Sequence, residues 1–225
     1  MAWRLGVEFA VFIVVLGGAL FWAAGTLDWW GGWVFLGEMV LGAGGPCIWL
    51  LRHDPGLLRE RRAGGFQTSQ VSRDKLLTAV LQIGFFAWLI LMALDAERWR
   101  LSHVPSALEA VGAILSATFF PACWLVFREN SFAAPVVKIQ EERGQSVITT
   151  GPYHLVRHPM YAGAIPYFIG LPLLFGSWLG FALAPLFIAL LVARIPIEER
   201  ALRDGLVGYD AYVAQVRWRL VPGLW

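Results

Sequence analysis

Two stretches of this sequence carry polar groups at spacings suited to binding and reaction. The first is Arg157-His158-Pro159-Met160-Tyr161-Ala162-Gly163. Pro159 suits the first turn of a helix, where its missing N–H is no loss. A proline there pushes His158 toward an extended conformation. His158 then stands at the lip of the helix, with Tyr161 and Gly163 about one turn further on. A histidine offers two ring nitrogens that donate or accept. Tyr161 adds an aromatic face and a hydroxyl, and Gly163 lets a planar ligand approach the helix. This reads as a pocket wall, or equally as an interfacial His/Tyr pair with a capping role.

The second stretch is the acidic pair Glu198-Glu199, followed by Arg200, Leu202, Arg203 and Asp204. Adjacent residues on a helix point about 100° apart. The two carboxylates therefore cannot face the same partner. One can meet a cationic or hydroxyl-rich ligand while the other is salt-bridged. The plainer alternative is a solvated helix laced by i,i+4 ion pairs, Arg194 to Glu198, Glu199 to Arg203 and Arg200 to Asp204.

The elements that must position these groups are membrane helices. Of 225 residues, 58% are hydrophobic and 15% charged, against about half and a quarter in soluble chains. Apolar runs near the roughly 20 residues needed to cross a bilayer fall at residues 7–24, 30–51, 76–94, 105–127, 159–175 and 178–194. Backbone groups in hydrocarbon must be paired within a segment, so each run is expected to be helical. The fold class expected is an all-α integral membrane protein of about six spans. The first run is read as a retained helix rather than a signal peptide.

Charge placement orients the bundle. With the N-terminus inside, the external loops hold Arg98 and Arg100, and the other Lys and Arg of the 18 lie at inner ends. The positive-inside rule asks for this asymmetry. Both termini are therefore expected on the cytoplasmic side. A net charge of +2 gives no broad basic surface for nucleic acid. Cys47 and Cys123 lie in apolar runs and read as packing residues, and no metal-ligand spacing is present.

Three inner segments carry most of the polar residues. Residues 52–75, with the run Arg59-Glu60-Arg61-Arg62, read as a basic juxtamembrane loop attracted to anionic lipid. The β-branched stretches 136–140 and 146–150, with Gly144 between them, predict a small cytoplasmic hairpin. The tail 208–222 reads as an amphipathic helix, with Tyr209, Tyr212, Val213 and Val216 on one face. It either lies on the membrane surface, the plainer reading, or closes over the pocket. Past Glu8 at the edge of the first run, two acids fall inside spans. Glu109 is near an interface. Glu38 is near mid-span, where ionisable groups are costly; it is either a cavity residue or a packing residue bonded to a neighbouring helix. One domain is expected, with four spans in 1–127 and the catalytic region in 128–222.

Taken in order, Gly151-Pro152-Tyr153, the Arg157–Gly163 stretch, Glu198-Glu199 with Leu202, Gly208-Tyr209 with Tyr212, and the closing 219–222 resemble the isoprenylcysteine carboxyl methyltransferase family. That is a group of membrane methyltransferases related to the phospholipid methyltransferases. The resemblance covers residues 130–222 and leaves the first four helices unmatched. It implies an S-adenosyl-L-methionine pocket between the fifth and sixth helices, closed by C-terminal elements. It further implies cofactor binding by His158, Pro159, Tyr161, Gly163, Glu198 and Glu199, with Glu198 also in a catalytic role. The implied acceptor is a lipidic or amphiphilic molecule, such as a prenylcysteine-like carboxylate, and the implied location a bacterial inner membrane. An arginine is expected to hold an anionic acceptor bidentately. Arg194, Arg200 and Arg203 are candidates, with Arg203 the first choice.

Two rival classes are weighed against this. Membrane NADPH-dependent sterol or steroid reductases carry a similar His-x-x-Tyr-x-Gly stretch. They place Asn before the Tyr, where this chain has Met160, and an Arg-Asp pair where it has Glu198-Glu199. A non-catalytic carrier would set its polar residues along a pore rather than in inner-face motifs.

Overall fold

The computed structural model describes residues 2–65, 67 and 70–225. Among the described residues the regular structure is helical, with no strand. The order is α1 (Ala2–Ala24), α2 (Trp30–His53), α3 (Pro55–Arg62), α4 (Ser72–Ala93), α5 (Ser106–Ala117), α6 (Phe119–Glu129), α7 (Pro159–Phe175), α8 (Trp178–Gly205) and α9 (Tyr209–Gln215). Among the described residues five helical stretches are long and apolar enough to cross a membrane, α5 and α6 together forming one of them, Ser106–Glu129. The remaining expected span, α7, is shorter, at 17 residues.

Helix α7 is the inner rod of the bundle. Ten of its 17 residues are buried, and it packs on α2, α4, α5, α6 and α8. Its contact with α5 is backbone against backbone. A Cβ at Gly112 would fall 2.4 Å from Leu174 N and 2.6 Å from Gly170 O. One at Gly170 would fall 2.6 Å from Gly112 O. Small residues allow this close approach, which lets membrane helices associate without a hydrophobic driving force between them.

At the end of the bundle away from α9, one carboxylate ties two turns together. Asp95 Oδ2 accepts from Ser102 Oγ and Ser177 Oγ, each at 2.5 Å. Ser177 caps α8 by accepting from Gly180 N at 2.9 Å. At the same end Glu109 accepts from Trp30 Nε1 at 2.8 Å, as a bland interfacial acid would. Glu38 accepts from Ser116 Oγ of α5 at 3.0 Å, the bonded packing role left open above.

Two expectations are corrected. The stretches 136–140 and 146–150 do not form a hairpin, because other groups take their backbone. Val137 N–H donates to Asp74 Oδ2 at 2.8 Å, and Val137 O accepts from Val71 N at 3.0 Å. Gln140 N–H donates to Gln145 Oε1 at 2.7 Å. A 3₁₀ turn at Glu141–Arg143, closed by left-handed Gly144 (φ 63°), joins the two stretches. The tail helix, α9, has only seven residues. It does not lie apart on a surface. Tyr209, Tyr212 and Val216 are buried and pack with Val147, Tyr153, Leu202 and Leu206.

Gly112→Val is expected to lower the thermal midpoint in detergent sharply, since overpacking costs about 1–3 kcal/mol or more. Gly37→Ala, with open space around its Cβ, is expected to leave the midpoint unchanged. Equal effects of the two variants would contradict the close α5–α7 contact.

Candidate functional site

Where α7 begins and α8 ends, the chain encloses a cavity of about 310 Å³, at the lower edge of the roughly 300–1,000 Å³ typical of ligand pockets. His158, Pro159 and Tyr161 form one wall, and Arg194 and Glu198 another. Residues 130–139 and 145–148 supply cover, with Tyr209 and Tyr212 above. Deeper between the helices the lining turns apolar, at Phe119, Ala164, Phe168 and Leu191.

The wall at α7 is built by packing and one hydrogen bond. The His158 and Tyr161 rings stack with centroids 5.5 Å apart and planes 10° from parallel. Tyr161 OH donates to Glu198 Oε2 at 2.7 Å. His158 Nδ1 lies 3.9 Å from the same carboxylate. His158, with Pro159 in the first turn, has φ −125° and ψ 65°, outside the helical region that a following proline disfavours but short of the fully extended conformation expected.

The two glutamates divide as their helical offset demands. The Glu198 side chain is 30% exposed and lines the cavity. That of Glu199 is 3% exposed and lies outside the lining. Glu199 Oε1 accepts from Arg157 Nε at 2.7 Å, and Oε2 from Arg219 Nη2 at 3.1 Å. His158 Nε2 stands 3.4 Å from Glu199 Oε1. Arg157 Nη1 also donates to Val216 O at 2.7 Å and Arg217 O at 2.9 Å. Arg157 N–H and His158 N–H then donate to Trp218 O and Arg219 O, each at 2.9 Å. This cluster fastens the segment after α9 across the start of α7. Tyr212 OH adds a bond to Tyr153 O at 2.8 Å. Burial, the leading cause, pushes the Tyr212 phenol up to about 12, so it remains a protonated donor near neutral pH.

Of the arginine candidates, Arg194 reaches the cavity. Its Nε donates to Asp74 Oδ1 at 2.6 Å, and its Nη2 to Asp74 Oδ2 at 3.2 Å and Pro135 O at 2.9 Å. Arg203, the first choice from sequence, is not brought to the site. It pairs with Asp210 of α9 at 3.2 Å and is 44% exposed. Arg200 is exposed. None of the three i,i+4 pairs is among the salt bridges of the described residues, because buried partners from other segments claim Arg194 and Glu199. Gly163 also stands outside the cavity lining. A Cβ there would fall 2.8 Å from Ala122 Cβ, so its lack of a side chain serves the approach of α7 to α6.

Sequence reasoning missed Asp74, Arg61 and the role of Arg157. Asp74 is fully buried and also accepts from Gln70 Nε2 at 2.8 Å. It sits in Arg73-Asp74-Lys75, where the neighbouring charges hide it in a basic loop. Nothing local links it to Arg194, 120 residues away. Arg157 stood within the motif, and its neighbourhood to Glu199 is purely tertiary. Among the described residues no cluster of His, Cys, Asp or Glu is arranged to hold a metal ion.

Residues 109–205 match the family model for phospholipid methyltransferase. The match runs from early α5 to the end of α8 and contains His158, Tyr161, Arg194 and both glutamates. It starts earlier than the resemblance read from sequence and stops before α9. No curated protein matches the chain. The family match and the apolar helices support an integral membrane protein and, in general terms, a membrane methyltransferase.

Asp74→Ala is expected to destabilise the protein by about 3–5 kcal/mol, since it leaves the buried Arg194 guanidinium uncompensated. Arg203→Ala, which loses only an exposed pair, is expected to cost under about 1 kcal/mol. Thermal unfolding in one detergent checks both, and equal shifts would contradict the assignment of the buried pair.

Proposed function

We propose that this protein transfers a methyl group from S-adenosyl-L-methionine to a lipidic or amphiphilic acceptor at the cytoplasmic face of the membrane. The observation that carries this reading is the division of the acidic pair. Glu198 opens into the cavity, braced by Tyr161 and close to His158, while Glu199 is sealed by two arginines.

The residues fit the cofactor. A carboxylate oxygen and an imidazole nitrogen suit the ribose hydroxyls or the ammonium group of such a molecule. Tyr161, its ring stacked on His158 and approached by Arg194 at 6.0 Å, contributes the hydroxyl that orients Glu198. Pro159, between these groups, completes that wall. Glu199 acts through Arg157 and His158 rather than by contact. Bound there, S-adenosyl-L-methionine would supply an electrophilic methyl on a sulfonium.

The chain's own contribution is orientation and exclusion of water. Holding reacting groups within about 3–3.5 Å in line is the main demand of such a displacement. An acceptor carboxylate, being ionised near neutral pH, needs no strong base. Of the three candidate arginines, Arg194 rather than Arg203 lines the cavity, with two of its nitrogens already held by Asp74. The apolar depth at Phe119, Ala164 and Phe168 suits a hydrocarbon tail entering from the bilayer. The segment held by Arg157, with α9 and residues 136–148, closes the water side. The same reading takes α7 as a sixth span and puts both termini in the cytoplasm, with a bacterial inner membrane as the location.

Calorimetry on the purified chain is expected to show micromolar binding of S-adenosyl-L-methionine and S-adenosylhomocysteine and none of NADPH. Glu198→Ala and His158→Ala are each expected to weaken that binding by about tenfold or more, with the unfolding profile retained. Binding of NADPH in place of both sulfur compounds would select the reductase class. Binding of none of the three would favour a carrier.

A further inference from the structure

Arg61, near the end of α3, is a cavity-lining cation that the chemistry above leaves unused. Its Nη1 donates to Ala133 O at 2.9 Å, and its guanidinium carbon lies 4.3 Å from the centre of the Phe127 ring. The other lining cations are matched by acids. Lys138 has Glu60 at 2.5 Å, Arg157 has Glu199 at 2.7 Å and Arg194 has Asp74 at 2.6 Å. His158 stands beside both Glu198 and Glu199. Among the described residues no carboxylate lies within ion-pair distance of Arg61.

Burial lowers the Arg61 pKa from its ordinary value, yet a guanidinium starts high enough to stay charged. A charge held inside a protein without a counter-charge is costly. The remaining donors, Nε and Nη2, make no hydrogen bond among the described residues, and the side chain lines the cavity. A second guanidinium flanks the same backbone segment, since Arg194 Nη2 donates to Pro135 O at 2.9 Å. Ala133 and Pro135 are two residues apart, so their Cα atoms are within about 7 Å. Guanidinium groups from α3 and α8 thus bond one short stretch, but Asp74 and Pro135 already engage Arg194, whereas Arg61 keeps its Nε and Nη2 unengaged. That pair of donors matches the oxygens of a phosphate or carboxylate.

We propose that Arg61 forms a subsite for the anionic headgroup, phosphate or carboxylate, of the amphiphile that accepts the methyl group. The headgroup supplies the counter-charge that the fold withholds from Arg61, while the tail takes the apolar depth at Phe119 and Phe168. Arg61 lies outside residues 109–205, so the half of the chain beyond the family match contributes acceptor selection. The assignment of the anion to an acceptor rests on the methyltransferase reading. The charge preference of the subsite does not.

The test uses the full chain in maltoside micelles, with and without S-adenosylhomocysteine. Affinities for dodecyl phosphate, dodecanoate and uncharged dodecanol are compared, with inorganic phosphate as a competitor. The native chain is expected to bind the two anions about tenfold or more tighter than dodecanol. Arg61→Met is expected to abolish that preference while leaving dodecanol and S-adenosylhomocysteine affinities unchanged, and Arg61→Lys to keep part of it. Should Arg61→Met fail to fold, Arg61→Gln is read in its place. An unchanged preference in the variant, or none in the native chain, overturns the subsite. So does loss of S-adenosylhomocysteine binding alone, which would give Arg61 to the cofactor. Inorganic phosphate competing as well as dodecyl phosphate also overturns it, in favour of a free-anion site. A charge preference lost in Arg61→Met, with no S-adenosylhomocysteine binding by the native chain, would sink the methyltransferase reading and leave the subsite standing.

Discussion

A carboxylate buried as deeply as Glu199 must be met by donors, because an unpaired charge in the interior is costly. Meeting it brings together parts of the chain that are far apart in sequence. Arg157 comes from the approach to α7, Arg219 from beyond α9, and Glu199 itself from α8. Once these converge, the neighbouring Glu198 has no freedom to choose its direction. The helical step of about 100° turns it toward Tyr161 and the cavity. The open acid is thus a product of the sealed one.

Asp74 plays the corresponding part on the other side. It gathers Arg194 from α8, Val137 from the cover segment and Gln70 from the approach to α4. It therefore sets both the direction of Arg194 and the seat of the wall opposite His158. The first half of the chain has no recognisable motif, yet it supplies this anchor and Arg61. The cavity thus depends on partners whose identity is a matter of three-dimensional neighbourhood.

The helices could be read from sequence, five of the six runs being long and apolar enough to span among the described residues, because run length and helical pairing in hydrocarbon leave few alternatives. The divergence of Glu198 and Glu199 could be read for a similar reason, since helical geometry is local. The hairpin expected at 136–150 was not realised. β-branched residues favour extended backbone, but Asp74 and Gln145 took the donors that a ladder needs. The choice of Arg203 over Arg194 ignored rotation. Arg203 is five residues from Glu198, about 140° around the helix, whereas Arg194 at four residues shares its face. The structure puts Arg194 on the cavity wall and turns Arg203 toward Asp210. Gly163 was legible as a site of close approach, and α6 approaches it through Ala122.

The shortness of α7 bears on how the protein meets bilayers of different thickness. A helix of 17 residues is about 26 Å long, less than the roughly 30 Å of a typical hydrocarbon core. It is enclosed by its neighbours, so acyl chains do not dictate its fit. Longer or shorter lipids would strain the outer helices first, through tilt or local thinning. The depth of His158 and Tyr161 relative to α8 is set by protein packing, which makes the cavity insensitive to hydrophobic mismatch at the perimeter.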